Sequence, residues 1–101
     1  MNLGKTIKEQ RVKRGFTQSE FAEKCNISQA YLSQIEKNQK EPNLSIIKDI
    51  AQFLDIPLAI LFFLSLEDND VKESQRDNFK MINRPLKSMV NEFFTKSDEN
   101  D

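Results

Sequence analysis

One face of a short predicted helix after Ser28 is small, polar and uncharged. Its residues are Gln29, Ala30, Ser33 and Gln34. Charged residues make up 31% of the chain, so an ordinary solvent-facing surface would be expected to carry Lys and Glu. Glutamine can instead pair with adenine N6 and N7, and alanine can contact a thymine methyl group. We therefore predict that these four residues contact DNA bases; the alternative is a merely polar surface.

Groups that could hold phosphates surround this face. Gln18 lies at the start of the preceding predicted helix, where free backbone N–H groups and the helix dipole favour anions. The predicted phosphate contacts are Gln18, Ser28, Tyr31, Lys37, Asn38 and Lys40. Such contacts position a protein on DNA without reading its sequence. Taken singly, each of these residues is equally well explained as solvated surface.

Two short capped helices must position both groups of residues. Thr17 and Glu20 have the spacing of a capping box, which opens the first helix, and Ser28 is a good N-cap for the second. The connection between them contains Asn26, a residue that tolerates the left-handed backbone of a tight turn. Two helices joined so tightly predict a helix-turn-helix, in which the second helix is presented to a DNA major groove.

The other helices are predicted from caps and apolar spacing, and no segment has the alternation of a strand. The first helix should cover about residues 3–14 and end at Gly15 in a left-handed cap. A fourth helix should follow Asn43, with an inward stripe running from Leu44 to Leu54. A fifth should begin near Pro57. The predicted fold class is therefore all-α.

Two further residues are predicted to form an ion pair inside this bundle. Arg11 follows Ile7 by four positions on the apolar stripe of the first helix, and Glu36 follows Ile35 on the inner side of the third. A buried charge needs a partner, so we expect the pair to orient the two helices rather than to add much net stability. Cys25, on the inner face of the second helix, is expected to be a small core residue; the alternative is a redox sensor.

Composition excludes several classes of protein. The 101 residues include no His and one Cys, which argues against an enzyme, a metal site, a cofactor and an intrachain disulfide. The longest apolar run, residues 56–66, is shorter than the roughly 18 residues that a membrane span needs. The N-terminus lacks the apolar segment of a signal peptide. We therefore expect a soluble, cytoplasmic protein that does not bind membranes.

Charge divides the chain into two predicted regions. Residues 1–66 hold nine basic and seven acidic residues, a net charge of +2, whereas residues 67–101 hold six and nine, a net charge of −3. The mildly basic first region permits nucleic acid as a partner without requiring it. The last five residues, SDEND, are expected to be a disordered tail.

The C-terminal region is expected to contain one or two helices. Asp70 and Glu73 have capping-box spacing and predict a sixth helix over about 71–82, which Pro85 should stop or kink before starting a seventh. The last helix has a stripe made of Leu86, Met89, Val90, Phe93 and Phe94. This stripe could cover the apolar fifth helix within the chain. We favour a homodimer interface, because a dimer reads two half-sites about 34 Å apart.

Residues 3–64 resemble the phage-repressor-like (XRE, Cro/repressor) helix-turn-helix family. The resemblance is carried by the runs TQSEFA and YLSQIE and by the Pro-Asn-Leu start of the fourth helix. It implies a five-helix lambda-repressor-like DNA-binding domain over 1–66 that binds operator DNA as a homodimer and regulates transcription, as a repressor. The extension over 67–101 would then be the dimerisation element.

The resemblance also implies roles for individual residues. Gln29, Ala30, Ser33 and Gln34 match the base-reading positions of the family, and Gln18, Ser28, Lys37 and Lys40 match positions that commonly meet phosphate. Arg11 and Glu36 match its interhelical salt bridge. The chain departs from the family pattern at Asn26, where Gly is commoner, and at Pro57, where Ser often caps the fifth helix.

Two other functions remain open from the sequence. An antitoxin would use the same DNA-binding domain to regulate its own operon, and its C-terminal third would bind a toxin. A protein-interaction module that had lost DNA binding would carry a bulky or charged outer face on the third helix, which this chain lacks.

Overall fold

The computed structural model describes residues 1–95 and contains six α-helices. They are α1 (Leu3–Lys13), α2 (Gln18–Lys24), α3 (Gln29–Glu36), α4 (Leu44–Phe53), α5 (Leu58–Ser65) and α6 (Arg76–Val90). Two 3₁₀ turns, Asp68–Asp70 and Glu73–Gln75, connect α5 to α6, and a π-helical turn, Asn91–Thr95, follows α6. No strand occurs over this range, so the all-α prediction is confirmed. The predicted tail lies outside the described residues.

The predicted helix caps are confirmed for the three middle helices. Thr17, Ser28 and Asn43 accept hydrogen bonds from the third backbone N–H of α2, α3 and α4, respectively. At α2 the capping box is complete, because the Glu20 carboxylate accepts a hydrogen bond from Thr17 N at 2.8 Å. Gly15 and Asn26 both have positive φ, so the left-handed turns predicted at these two positions are also confirmed.

The core is a single apolar cluster between α1, α2, α3, α4 and α5. Its largest fully buried side chains include Ile7, Phe21, Leu32, Ile50 and Leu61. The inward stripe of α4 runs from Ile47 to Leu54. Leu44 was also expected on this stripe, but it is 53% exposed at the first position of α4.

Gly4 allows α1 to lie directly against the end of α3. A Cβ atom at this position would lie 2.3 Å from the carbonyl oxygen of Ile35 and 2.8 Å from that of Glu36. Both are far closer than van der Waals contact, and both belong to backbone. The close approach of these two helices therefore requires glycine here.

The C-terminal region forms one long helix, within the expected one or two, so the predicted stop at Pro85 and the seventh helix after it are wrong. Pro85 lies inside α6, where its missing N–H removes one hydrogen bond without ending the helix. The predicted capping box at Asp70 and Glu73 is not formed. The carboxylate of Asp70 instead accepts a hydrogen bond from Glu67 N, and α6 begins only at Arg76.

The end of α6 returns to the end of α1. The Arg14 guanidinium donates to the carbonyl oxygen of Phe94, and Lys13 Nζ donates to Asn91 Oδ1 at 3.4 Å. Val90 is buried at 7% exposure within its own chain. Large exposed apolar side chains remain along the rest of the segment: Met81, Ile82, Leu86, Met89, Phe93 and Phe94.

The apolar residues of α5 are covered mainly within the bundle. The helix packs against α1 and α4, and all its large apolar side chains are buried or half-buried. Over residues 1–95 no helix is both long and apolar enough to cross a membrane.

Candidate nucleic-acid interface

The outer face of α3 brings the four predicted base-contacting residues together. Gln29 and Ala30 are exposed and Ser33 and Gln34 are half-buried, one turn further along. Leu32 and Ile35 are buried on the opposite side, in the core cluster. The face therefore combines a fixed backbone with hydrogen-bonding groups that remain accessible, which is the arrangement that base reading requires.

A buried ion pair fixes α3 to α1. Arg11 Nε donates to Glu36 Oε2 at 2.7 Å and Arg11 Nη2 donates to Glu36 Oε1 at 3.1 Å, which makes the pair bidentate. Arg11 Nη1 also donates to the carbonyl oxygen of Phe16 at 2.8 Å, so the start of α2 is held as well. Both side chains are at most 9% exposed. The predicted pairing is thus present, and it orients the outer face of α3.

A network of side-chain hydrogen bonds extends from this pair to the outer face. Gln18 Nε2 donates to Glu36 Oε1 at 3.0 Å, and Gln29 Nε2 donates to Gln18 Oε1 at 3.4 Å. The Ser19 hydroxyl donates to Gln29 Oε1 at 2.9 Å. We call Glu36, Gln18, Gln29 and Ser19 the amide network. The contribution of Ser19 was not anticipated from the sequence, where it was only an interior residue of the capping box.

The predicted phosphate contacts lie in different environments. Lys37 and Lys40 are exposed just past α3, whereas Tyr31 is half-buried against the core. Ser28 Oγ accepts a hydrogen bond from Tyr31 N at 3.0 Å as the N-cap of α3. Lys37 and Lys40 therefore place two exposed cations beside the outer face.

Asn38 already has partners within the chain. Its Oδ1 accepts from Gly4 N at 3.1 Å and its Nδ2 donates to Asn2 Oδ1 at 2.7 Å. Asn2 Oδ1 also accepts from Lys5 N, so both asparagines satisfy free amides at the start of α1. This structural role was missed, although a glycine near the start of a predicted helix was the available sign of a close approach.

Cys25 is a buried residue at the end of α2. Burial, with a smaller effect from the negative charge of Asp49, raises the pKa of the Cys25 thiol to about 11. A neutral, buried thiol reacts slowly with oxidants, which favours the core role over the redox-sensor alternative. Among residues 1–95, no group of His, Cys, Asp and Glu side chains is arranged to hold a metal ion.

Comparison with protein families identifies the domain. Residues 7–61, more than half of the chain, match the helix-turn-helix family model. The chain belongs to the phage-repressor-like helix-turn-helix family. The matched range includes both α2 and α3. Members of the family are DNA-binding regulators rather than enzymes, in agreement with the expectation that this chain is not an enzyme.

Two curated helix-turn-helix relatives match most of the chain. The immunity repressor of Bacillus phage phi105 is 35% identical over 77 residues, which cover 76% of this chain and 51% of the repressor. The regulator SinR of Bacillus licheniformis is 32% identical over 77 residues, covering 75% of this chain and 68% of SinR. The chain thus spans about half the length of the phage repressor that it matches.

A solved structure of a helix-turn-helix relative shares the fold. The crystal structure of SinR, a master regulator of biofilm formation, in complex with DNA has a TM-score of 0.56 to this chain at 33% identity. The match covers 59% of this chain and 97% of that one.

Proposed function

We propose that this protein is a sequence-specific transcriptional repressor that acts in the cytoplasm. Its DNA-binding domain, residues 1–66, would place α3 in the major groove of operator DNA. The observation that carries the proposal is the uncharged, hydrogen-bonding outer face of α3, held on two capped helices and fixed from behind by a buried ion pair. The crystal structure of SinR in complex with DNA supports the same use of this fold.

The two groups of residues would act differently on DNA. Base reading would come from Gln29, Ala30, Ser33 and Gln34, which present amides, a methyl group and a hydroxyl. The exposed Lys37 and Lys40 would grip phosphates, and they are the strongest candidates for the salt-dependent part of the affinity. Gln18, Ser28 and Tyr31 would add weaker phosphate contacts near the start of either helix.

We further propose that the extension over 67–101 makes the protein a homodimer. Phe79, Ile82, Leu86, Met89 and Phe93 are spaced alternately three and four residues apart, which is the spacing of a helix–helix seam. Met89 is 54% exposed and Phe93 is 73% exposed, so the seam offers apolar surface that a second copy could bury. Phe94 would contribute beside this seam, but Val90 would not, because its own chain already buries it.

Binding measurements on paired duplexes would test the proposed DNA reading. The preferred site is first selected from a library of random-sequence duplexes, and fluorescence anisotropy then compares that site with a scrambled duplex. Replacing Gln34 by Ala should lower affinity for the selected site about tenfold, because one base contact is worth roughly 1–3 kcal/mol, and should leave the scrambled duplex unaffected.

The matched control is Lys37→Ala, which removes a proposed phosphate contact. This variant should weaken binding to both duplexes equally and reduce the salt dependence of the affinity by about one unit. Equal losses on both duplexes for Gln34→Ala would contradict base reading by the outer face of α3.

A further inference from the structure

We propose that the Asn38 side chain positions Lys40 for contact with a DNA phosphate. The sequence predicted that Asn38 itself contacts phosphate, but both ends of its amide are already bonded to the start of α1. Asn38 instead acts through the segment that joins α3 to α4, residues 37–43, which we call the α3–α4 loop. The inference rests on the phosphate contact proposed above for Lys40.

The start of α1 is a firm anchor for the Asn38 side chain. Gly4 N donates to Asn38 Oδ1 at 3.1 Å, and a Cβ atom on Gly4 would lie only 2.7 Å from that oxygen. At the other end of the amide, Asn38 Nδ2 donates to Asn2 Oδ1 at 2.7 Å. Asn2 is itself held, because its backbone N–H donates to the carbonyl oxygen of Ser65 at 2.8 Å.

Backbone donors fix the orientation of both amides. A backbone N–H can only donate, so Asn38 must turn its oxygen toward Gly4 N, which leaves Nδ2 for Asn2. Asn2 must likewise turn its oxygen toward Lys5 N, from which it accepts at 3.1 Å as the N-cap of α1. A flip of either amide would oppose two donors at the start of α1, which is unfavourable.

The α3–α4 loop is held less firmly between Asn38 and the buried Pro42. Lys40 N donates to the carbonyl oxygen of Gln34 at 3.3 Å, and Gln39 N donates to the same oxygen at 2.8 Å. A cleft of about 390 Å³ lies between this part of the loop and the start of α1, and Lys40 lines it. The Asn38 amide therefore joins the loop to α1 at the edge of a cleft that packing leaves open.

The orientation of the α3–α4 loop matters because its exposed charges are mixed. Lys40 and Glu41 are adjacent, exposed and opposite in charge. A loop that is free to turn offers both charges to a phosphate, so that repulsion by Glu41 offsets attraction by Lys40. A loop fixed at Asn38 keeps one orientation, in which Lys40 faces the phosphate and Glu41 does not.

Lys37 provides an internal comparison on the other side of Asn38. Its backbone N–H donates to the carbonyl oxygen of Ser33 at 3.1 Å, so Lys37 is held by the last turn of α3 itself. Loss of the Asn38 side chain should therefore affect the phosphate contact of Lys40 and leave that of Lys37 unchanged.

Asn38→Gly is the variant that tests this role. Asn38 has a φ of +60°, which glycine adopts without strain, so the turn and the fold are kept while the amide is lost. Asn26→Gly is the matched control. Asn26 has a φ of +57° in the turn before α3, and within residues 1–95 its exposed side chain takes part in no hydrogen bond.

Backbone ¹⁵N relaxation of the free protein is the first measurement. The amides of residues 39–41 should be as ordered as those of α3 in the wild type and in Asn26→Gly. In Asn38→Gly the same amides should become mobile. Equal order of these amides in Asn38→Gly and in the wild type would overturn the inference.

The salt dependence of binding to the scrambled duplex is the second measurement, because it reports the number of phosphate contacts. Lys40→Ala should reduce it by about one unit, and Asn38→Gly should reduce it by as much as about one unit. The double variant Asn38→Gly, Lys40→Ala should match Lys40→Ala, whereas the effects of Asn38→Gly and Lys37→Ala should add. A weaker affinity of Asn38→Gly with unchanged salt dependence would indicate a direct contact by the neutral amide and would contradict positioning.

The proposed function and this inference fail in different ways. If Lys40→Ala leaves the salt dependence unchanged, the phosphate contact proposed for Lys40 is wrong, and the inference fails with it. If Lys40→Ala reduces the salt dependence but Asn38→Gly does not, or if the two effects add in the double variant, the phosphate contact stands and the positioning role of Asn38 is wrong.

Discussion

Gly4 determines how closely α1 approaches α3. Replacing it by Ala would improve helix propensity by roughly 1 kcal/mol in an open helix. Here the new methyl group would meet the Ile35 carbonyl oxygen at 2.3 Å, so the helices would have to separate. We expect Gly4→Ala to lower the free energy of unfolding by about 1–3 kcal/mol, measured by urea denaturation.

Gly15 provides the comparison for this substitution. Its φ is +80°, and a Cβ atom added there would meet no other atom within 4 Å, so only backbone strain opposes a side chain. Gly15→Asn should therefore cost little, since asparagine tolerates this conformation. If Gly4→Ala were as stable as the wild type, the close contact of α1 with α3 would not exist in solution.

The Arg11–Glu36 pair should be costly to break from one side. Glu36→Ala leaves the Arg11 guanidinium buried without its carboxylate, which typically costs about 3–5 kcal/mol. The double variant Arg11→Met, Glu36→Met replaces both charges by apolar groups and should recover most of this loss. Urea denaturation of the wild type, Glu36→Ala and the double variant would measure their free energies of unfolding.

An exposed acidic residue near the same helix is the control. Glu41→Ala should change the free energy of unfolding by no more than about 0.5 kcal/mol, because Glu41 is exposed. A Glu36→Ala protein as stable as Glu41→Ala would show that the ion pair does not hold the two helices together.

At the scale of single elements, the capping box makes the stability of α2 depend on pH. Its hydrogen bond from the Thr17 backbone N–H lowers the pKa of Glu20 below its usual 4.5, helped by the Thr17 side chain. A lowered folded-state pKa means that the stabilisation is present above pH 4.5 and is lost as the pH falls through the folded-state value. We expect Glu20→Gln to be less stable than the wild type near neutral pH, with the difference disappearing in acid.

Thermal denaturation of both proteins across the acidic range would measure this difference. Glu23→Gln is a suitable control, because Glu23 is exposed on the same helix and takes no part in the capping box. A constant difference between the Glu20→Gln protein and the wild type at every pH would contradict an ionised Glu20 in the box.

Helix caps could be predicted from the sequence because their signals are local. Thr17, Ser28 and Asn43 each interact with a backbone N–H only three residues away. The start of α6 could not be predicted in this way, because the Asp70 carboxylate binds Glu67 N on its other side. Nor could Pro85 be assigned, since a proline pattern alone does not distinguish a helix start from a tolerated interior position.

The candidate site was predictable in composition but not in connectivity. The alternation of core and polar residues along α3 is sufficient to identify its outer face. The Ser19–Gln29 hydrogen bond joins two helices, and the partners of Asn38 lie more than thirty positions away. Such contacts depend on how closely the helices pack, which no spacing within one helix encodes.

At the scale of the whole molecule, the exposed seam of α6 predicts the state of assembly. Met89→Lys places a charge in the proposed seam and should convert a homodimer into a monomer, measured by sedimentation equilibrium. Met81→Lys is the matched control, because Met81 is on the same helix, is even more exposed and lies outside the seam spacing. That variant should remain a dimer.

Sedimentation equilibrium of the wild type also tests the alternative, in which the seam binds a different protein. A wild-type protein that stays monomeric at high concentration would contradict the homodimer. The seam would then be available to a different protein, as the antitoxin alternative requires. Dissociation of both lysine variants would show instead that α6 tolerates no added charge.

The two sides of α3 separate the residues that hold the fold from those proposed to select a binding site. Leu32 and Ile35 belong to the core, while Gln29 and Ala30 are exposed. Mutations on the outer side can therefore accumulate at little cost to folding. If this face reads bases as proposed, a lineage can change its target sequence without losing the fold. Gln18 and Ser19 should then evolve together with Gln29, because all three share one set of hydrogen bonds.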